Sequence, residues 1–432
     1  MLTIINQKLK RHGIIGEIIS NYTIFIEKWR IDLKVLRCEQ HIIRKGHELF
    51  EIVDKHCFYS KNVYNQANYL IRQEFINNKV YLNSSKIQKI MQSMDCYKEC
   101  GSQAAQKTIQ LLDKNWKSYF SAIKDWKKYP SKYLGMPKIP KYLNKDGRQV
   151  FMLKNVQCSL KDNVFRISYK PFNQYTVKTN AKGKLIQCRF IPKGSHYTME
   201  IVYEIEVPDC SNTSERIVAI DVGVDNFITM VNNIGEKPIA IKGGIIKSIN
   251  QYYNKQKAKL QSELKTTNKK DWSKRLQKLT DKRYEMIKYQ MHCISKYIVD
   301  WCILYDIDTI IIGHNKEWKQ NNIGMQNFTY IPYEMFIHML SYKCENNGIT
   351  FIINEEKYTS GTSFLDEEFP CKKNYNKNRR IYRGLFISNN GIKINADVNG
   401  AYQILKKVIP NAFADGIEGV GLHPTIIKLL VT

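Results

Sequence analysis

The stretch I-V-A-I-D-V-G-V-D-N-F-I-T-M-V-N, residues 217–232, decides the architecture of the C-terminal half. I-V-A-I-D is apolar up to Asp221, the composition of a strand covered on both faces. Gly223 allows a bend, N-F-I-T-M-V-N reads as a second strand, and P-I-A-I at 238–241 as a third. A carboxylate that closes a fully apolar strand is costly to bury unless it is paired or metal-bound. Asp221 is therefore the first candidate for chemistry.

Downstream, residues 246–305 read mostly as two helices, the second carrying Leu276, Leu279, Ile287, Met291, Ile294 and Ile298 along one side. D-T-I-I-I-G at 308–313 is a strand, and P-Y-E-M-F-I-H-M-L-S-Y-K-C-E at 332–345 a helix ended by Asn347–Gly348. I-T-F-I-I-N is the next strand, and V-N-G-A-Y-Q-I-L-K-K-V a late helix. Three successive strands, then helix and strand in alternation, is the order expected of an RNase H-like sheet.

Upstream of a polar linker at 209–215, residues 131–210 alternate in the β manner (V-F-R-I-S-Y, Y-T-M-E-I-V-Y-E-I-E-V) with Gly and Asn turns. Three prolines and a glycine at 129–140 separate this module from a helical one. Its first helix begins near Phe58, with Val63, Ala67 and Leu70 on one stripe. A second follows Gly101, with Ser102 as the expected N-cap and Ala105, Ile109, Leu112, Trp116 and Ile123 on its apolar face. Residues 34–50 read as an early strand that joins the β module, which makes 51–130 a helical insertion. Residues 1–33 form a leader with no assigned place.

Sixty-seven Lys and Arg against forty Asp and Glu leave a net charge of +27 over 432 residues. Such an excess opposes folding through self-repulsion unless a polyanion offsets it, so nucleic acid is the expected partner. With 43% apolar residues the chain can bury real cores. Eleven cysteines, odd in number and without a C-x-x-C, read as reduced thiols of a cytoplasmic protein. No membrane partner is expected, because no apolar run is long enough to span.

Two further acidic positions adjoin elements of the expected sheet. Asp397 stands at the mouth of the late helix, where a simple N-cap is an equal alternative. Glu355 and Glu356 follow the strand I-T-F-I-I-N, where either could be a solvated strand end. Two-ion phosphodiester hydrolysis needs carboxylates that hold divalent metals about 3.5–4 Å apart, and Mg2+ prefers hard oxygen ligands. A basic protein with such a set is a nuclease candidate.

At these residues the sequence resembles the TnpB family of transposon-encoded, RNA-guided DNA nucleases, relatives of type V CRISPR effectors and of Fanzor proteins. The resemblance is carried by I-V-A-I-D-V-G-V-D-N-F-I-T, I-I-I-G-H-N-K-E-W-K-Q, Q-N-F-T-Y-I-P-Y, E-E-K-Y-T-S-G-T-S-F-L-D, I-Y-R-G-L-F and I-N-A-D-V-N-G-A-Y-Q-I-L. Weaker matches, S-K-N-V-Y-N-Q-A-N-Y and M-P-K-I-P-K-Y, extend it back to about residue 34. It implies a multidomain α+β fold: a wedge-like β-barrel (34–50 and 131–210), an inserted helical recognition lobe (51–130) and a RuvC nuclease domain (215–432). It also implies a guide RNA, a double-stranded DNA target and Mg2+, with Mn2+ as an alternative.

Two departures from the family pattern stand out. The usual second acidic residue lies at the end of I-I-I, where this chain has Gly313; some relatives use a displaced glutamate near Y-T-S instead. Glu356 matches that position best, followed by Glu355 and then Glu317, so the implied catalytic and metal-binding set is Asp221, Glu356 and Asp397. Most relatives also carry a C-x-x-C zinc ribbon after Y-T-S. Here Ser363 stands at a ligand position and Cys371 alone remains, so no structural zinc is expected and the insert 361–390 replaces the ribbon. Gly313 also admits a nuclease-inactive RNA-guided DNA-binding repressor. A guide-free RuvC-like resolvase is a third reading.

Overall fold

The computed structural model describes residues 33–209, 215–268, 271–314, 331–382, 384–413, 416 and 420–428. The unplaced leader, Glu317 and most of the H-N-K-E-W-K-Q motif lie outside them.

The first half is built on a four-stranded antiparallel sheet. β1 (Leu33–Arg44) pairs along its whole length with β7 (His196–Val207); β7 pairs with β6 (Lys184–Pro192), and β6 with β2 (Phe151–Lys154). A small sheet of β3 (Cys158–Lys161), β4 (Val164–Ile167) and β5 (Thr176–Lys178) lies beside it. The expected wedge-like barrel is not closed. Closure needs every strand to find a partner on both sides, but the twelve-residue β1 and the four-residue β2 end the order β1-β7-β6-β2 without meeting. The two sheets join instead through side chains. Phe165 and Ile167 share a core with Phe151 and Phe190, and the Phe172 ring lies 5.3 Å from that of Phe190.

Four helices stand between β1 and β2: α1 (Phe50–Asn78), α2 (Ser84–Met91), α3 (Asp95–Cys100) and α4 (Ser102–Lys128). α1 begins eight residues before the expected Phe58, because Leu49, Val53 and Cys57 already form a buried stripe at helical spacing. The N-cap of α4 is Gly101 rather than Ser102. Gly101 has φ +82°, and a Cβ there would fall 2.6 Å from the Tyr169 hydroxyl. The helices share one core with the strands, centred on the fully buried Trp116, whose Nε1 donates to Asn68 Oδ1 at 3.1 Å.

The two weak motifs of this half meet. Asn65 donates to the carbonyl of Leu143 and accepts from its N–H, Asn68 donates to the carbonyl of Pro140, and Lys61 to that of Lys145. Polar side chains on one face of α1 thus satisfy a proline-rich segment that cannot form a ladder of its own.

The second half is a six-stranded sheet in the order β12-β11-β8-β9-β10-β16. β8 (Ile217–Val222), β9 (Asn226–Asn232) and β10 (Ile239–Lys242) form an antiparallel meander. β11 (Thr309–His314) runs parallel to β8, and β12 (Thr350–Glu355) parallel to β11. β13 (Arg380–Tyr382), β14 (Leu385–Ile387) and β15 (Lys393–Asn395) make a small separate sheet, and β16 (Thr425–Ile427) closes the β10 edge. The helices are α5 (Gly244–Asn268), α6 (Lys274–Leu304), α7 (Tyr333–Asn346) and α8 (Ala396–Val408).

Alternation along the strands sorts two cores. Val218, Ile220, Ile310 and Ile312 pack with Ile246, Ile298 and Phe336 of the first three of these helices. Ile217, Ala219 and Ile311 pack with Ala401, Ile404 and Leu405 of α8. Asp221 and Gly313 continue the second series, so both emerge on the α8 face. The halves are joined where Arg37 of β1 meets Glu345 at 2.6 Å and Asn346 at 2.8 Å, and where Ser195 and His196 of the β6–β7 hairpin reach Asp281 of α6.

Candidate active site

Asp221, Glu356 and Asp397 line one cleft of about 570 Å3 at the carboxyl ends of β8 and β12. Asp221 is the only residue of β8 that is not fully buried. α8 comes close to it because residue 400 is glycine: a Cβ there would lie 3.2 Å from Asp221 Oδ2. Burial, then the negative charge of Asp397, raises the Asp221 pKa from the ordinary carboxylate range, against the lowering effect of Arg380.

Asp397 is not the N-cap. Asn395 caps α8, accepting from the N–H groups of Asp397 at 3.0 Å and Val398 at 3.2 Å. The Asp397 carboxylate is thereby free to face the cleft, where Oδ2 accepts from Asn226 Nδ2 at 2.8 Å and Oδ1 from Arg380 at 3.3 Å.

Glu355 and Glu356 are separated by the strand pleat. Glu355 is exposed, opposite His314 in the register. Glu356 turns inward over Gly313, and a Cβ on Gly313 would fall 2.6 Å from both Cγ and Oε1 of Glu356. Its side chain thus occupies the space that any residue larger than glycine at 313 would claim. Burial, then the charge of Asp221, raises the Glu356 pKa, and its buried Oε1 has no hydrogen-bond partner.

The turn that presents Glu356 explains part of the Y-T-S motif. Both the N–H and the hydroxyl of the buried Thr359 donate to the Glu356 carbonyl, and Lys407 of α8 donates to the Glu355 carbonyl at 2.6 Å.

These carboxylates gather without converging. Among the described residues, no three of His, Cys, Asp and Glu stand close enough together to hold a metal ion. The residue types still suit a hard divalent cation: three carboxylates from separate elements, one with a buried, unsatisfied oxygen.

Several neighbours escaped the sequence reading. Arg380, a basic residue of the insert 361–390, reaches into the cleft. Asn226 stands across the β8–β9 turn, five residues after Asp221, and accepts from Lys242 at 2.7 Å. Tyr333 donates to the Gly223 carbonyl at 3.1 Å. The D-N pair at 225–226 was the one available signal for Asn226, since a polar residue entering an apolar strand must find a partner. His314, at the end of β11, pairs with Glu334 at 3.2 Å.

The insert 361–390 is held by charge. Arg379 donates to both oxygens of Glu368 at 2.8 Å, and Glu368 Oε2 also accepts from the N–H of Ser363. Asn399, fully buried on α8, accepts from the N–H of Phe364 and donates to the carbonyl of Thr362.

A parallel-edged sheet with three acids and an arginine at its carboxyl ends, joined to a strongly basic α+β half, defines a class of multidomain protein suited to polyanions. Two family models match it in succession. Residues 200–319 match OrfB_IS605, described as a probable transposase, and residues 333–404 match the Cas12f1-like TNB domain. The resemblance to TnpB is borne out by both. No curated protein matches the chain in sequence.

Among solved structures, the chain is similar to one described as the cryo-EM structure of the Cas12f1-sgRNA-target DNA complex. The identity is 15%, over 83% of this chain and 82% of that one, with a TM-score of 0.51. It also matches the mini-RNA-guided endonuclease CRISPR-Cas_phi3 at 11% identity over 93% and 95% of the two chains, with a TM-score of 0.46. The first match establishes a shared multidomain α+β fold.

Proposed function

We propose that this protein is an RNA-guided DNA endonuclease that cuts a guide-matched site beside a short flanking motif by RuvC-type hydrolysis. The observation that carries the reading is the placement of Glu356 over Gly313, in one cleft with Asp221 and Asp397. Asp221, Glu356 and Asp397 would hold Mg2+, or Mn2+ in its place. Divalent ions, when bound, supply the Lewis acidity and charge compensation that phosphodiester hydrolysis requires. Until then the acids repel one another, and Arg380 and Asn226 hold Asp397 in place. Arg380, at the cleft mouth, is also suited to receive a phosphate oxygen of the strand to be cut.

In this reading residues 34–50 and 131–210 form the wedge-like module, 51–130 the recognition lobe and 215–432 the nuclease domain, with 361–390 standing in for the zinc ribbon. The Cas12f1 structure resembled by this chain holds a guide RNA and target DNA, and the net charge of +27 suits both partners. Guide pairing would read sequence while the protein reads backbone and flanking motif.

A nuclease-inactive, RNA-guided DNA-binding repressor is favoured by one observation, the lack of convergence of the three acids. The experiment is purification with copurifying RNA sequenced, followed by cleavage of a matched target with Mg2+. RNA-dependent cutting supports the nuclease. RNA-dependent binding without cutting supports the repressor, and absence of bound RNA overturns both in favour of a guide-free resolvase.

A further inference from the structure

A second cleft, of about 330 Å3, lies between α5 and α6, lined by Ile249, Tyr252, Tyr253, Leu279, Lys282 and Met286 among others. Its interior is apolar and aromatic and its rim is cationic. Tyr253 is fixed: its hydroxyl bonds Thr280 at 3.1 Å, and the Arg283 guanidinium lies 5.0 Å from its ring centre. Tyr252, by contrast, is 60% exposed. The hairpin that carries the cleft has twelve Lys and Arg and only four Asp and Glu over residues 244–268 and 274–304. A small apolar ligand has no use for such an excess of positive charge around a small aromatic slot. A nucleotide does, since its base is flat and apolar on its faces and its phosphate is anionic.

The slot adjoins the candidate active site along one helix. Lys247, in the first turn of α5, pairs with Asp225, a residue of the catalytic cleft wall. Tyr252 lies five residues further along, about 8 Å at the rise of an α-helix. Five residues also turn the helix by about 140°, so a strand leaving the acidic cleft past Lys247 would reach the slot by crossing over α5.

We propose that the Tyr252–Lys282 slot receives an unstacked base of the DNA strand that passes through the catalytic cleft, with Tyr252 stacking on the base and Lys282 taking an adjacent phosphate. This rests on the nuclease reading for the identity of the strand, whereas the slot's chemistry stands on its own residues. The site would grip the substrate beyond the point of cleavage and keep it single-stranded there.

The test uses the full chain with its copurified RNA, in EDTA, bound to a matched target that carries 5-iodouracil at successive positions of either strand. Photocrosslinking is expected to map to Tyr252 within a narrow window of DNA positions. Tyr252→Ala should weaken target binding about tenfold, as expected for loss of one base stack, while Tyr252→Phe retains it. Lys282→Ala should reduce the log–log salt slope of binding by about 0.7. Tyr252 is exposed, so melting curves of its variants should match the parent. Absence of a crosslink to Tyr252 from every DNA position, or unchanged binding by Tyr252→Ala, would overturn the slot even if the protein cuts. A DNA crosslink at Tyr252 in a protein that never cuts would uphold the slot and remove the nuclease reading.

Discussion

Asn226 Nδ2 donates to Asp397 Oδ2 at 2.8 Å, and the geometry allows the amide no other orientation. Lys242 donates to Asn226 Oδ1 at 2.7 Å, and an ammonium cannot accept, so the NH2 end must face the carboxylate. The end of β10 thereby orients an acid on α8 through a residue of β9. Asn226→Leu should slow cleavage about ten- to hundredfold, the worth of a hydrogen bond to a charged group, with target binding unchanged. Lys242→Met should cost less, because the amide can still adopt the right orientation part of the time. Equal loss of binding and cutting in Asn226→Leu would mean a structural role only.

The displaced glutamate makes the sharpest contrast. Glu356→Gln should reduce cleavage to background while leaving RNA-guided binding intact, whereas Glu355→Gln, altered on the exposed side of the pleat, should retain substantial cutting. Gly313→Ala should lower stability by about 1–3 kcal/mol, since its Cβ would collide with Glu356 and Ile404. It should also displace the Glu356 carboxylate and slow cutting. Full activity in Glu356→Gln would remove this residue from the site.

No zinc should be needed by the insert that Arg379 and Glu368 hold together. Dialysis against a strong chelator should leave the melting temperature unchanged, while Arg379→Gln, which strands a half-buried carboxylate pair, should cost about 3 kcal/mol. A fall in melting temperature on chelation would contradict the expectation.

Acid should unfold the first half by way of Asp113. Burial raises the pKa of this carboxyl, but the Lys117 ammonium, the Tyr81 hydroxyl and the Ser84 N–H outweigh it, so the pKa lies below the ordinary value. A lowered folded-state pKa means stability that is present above the unfolded pKa, near 3.8, and is lost as pH falls through the folded value. Asp113→Asn should be less stable at neutral pH and show a flatter decline below pH 4 (about the unfolded pKa), read by thermal melting across a pH series.

Salt should weaken nucleic-acid binding steeply. A net charge of +27 predicts a log–log slope of about −0.7 to −0.9 per phosphate neutralised, measured by titration of binding against ionic strength. A slope near zero would remove the polyanion as the reason for the charge.

Periodicity and end-points were legible without coordinates. The run I-V-A-I-D announced a strand covered on both faces, and the order of strands and helices after it announced the six-stranded sheet, because backbone hydrogen bonding restricts a segment to two periods. Burying an acid at a strand end is expensive wherever it occurs, so Asp221 stood out from local sequence alone. Its partners did not. Whether Glu355 or Glu356 faces inward depends on the phase of β12 against β11, and whether Asp397 or Asn395 caps α8 depends on which side chain reaches the free N–H groups. The absence of a glutamate at 313 becomes intelligible only once Glu356, forty-three residues later, is seen to fill the space above the glycine. The same holds for the open sheet where a barrel was expected, and for Arg380 and Asn226. Contacts between residues distant in sequence follow from how layers pack, and no local pattern encodes them.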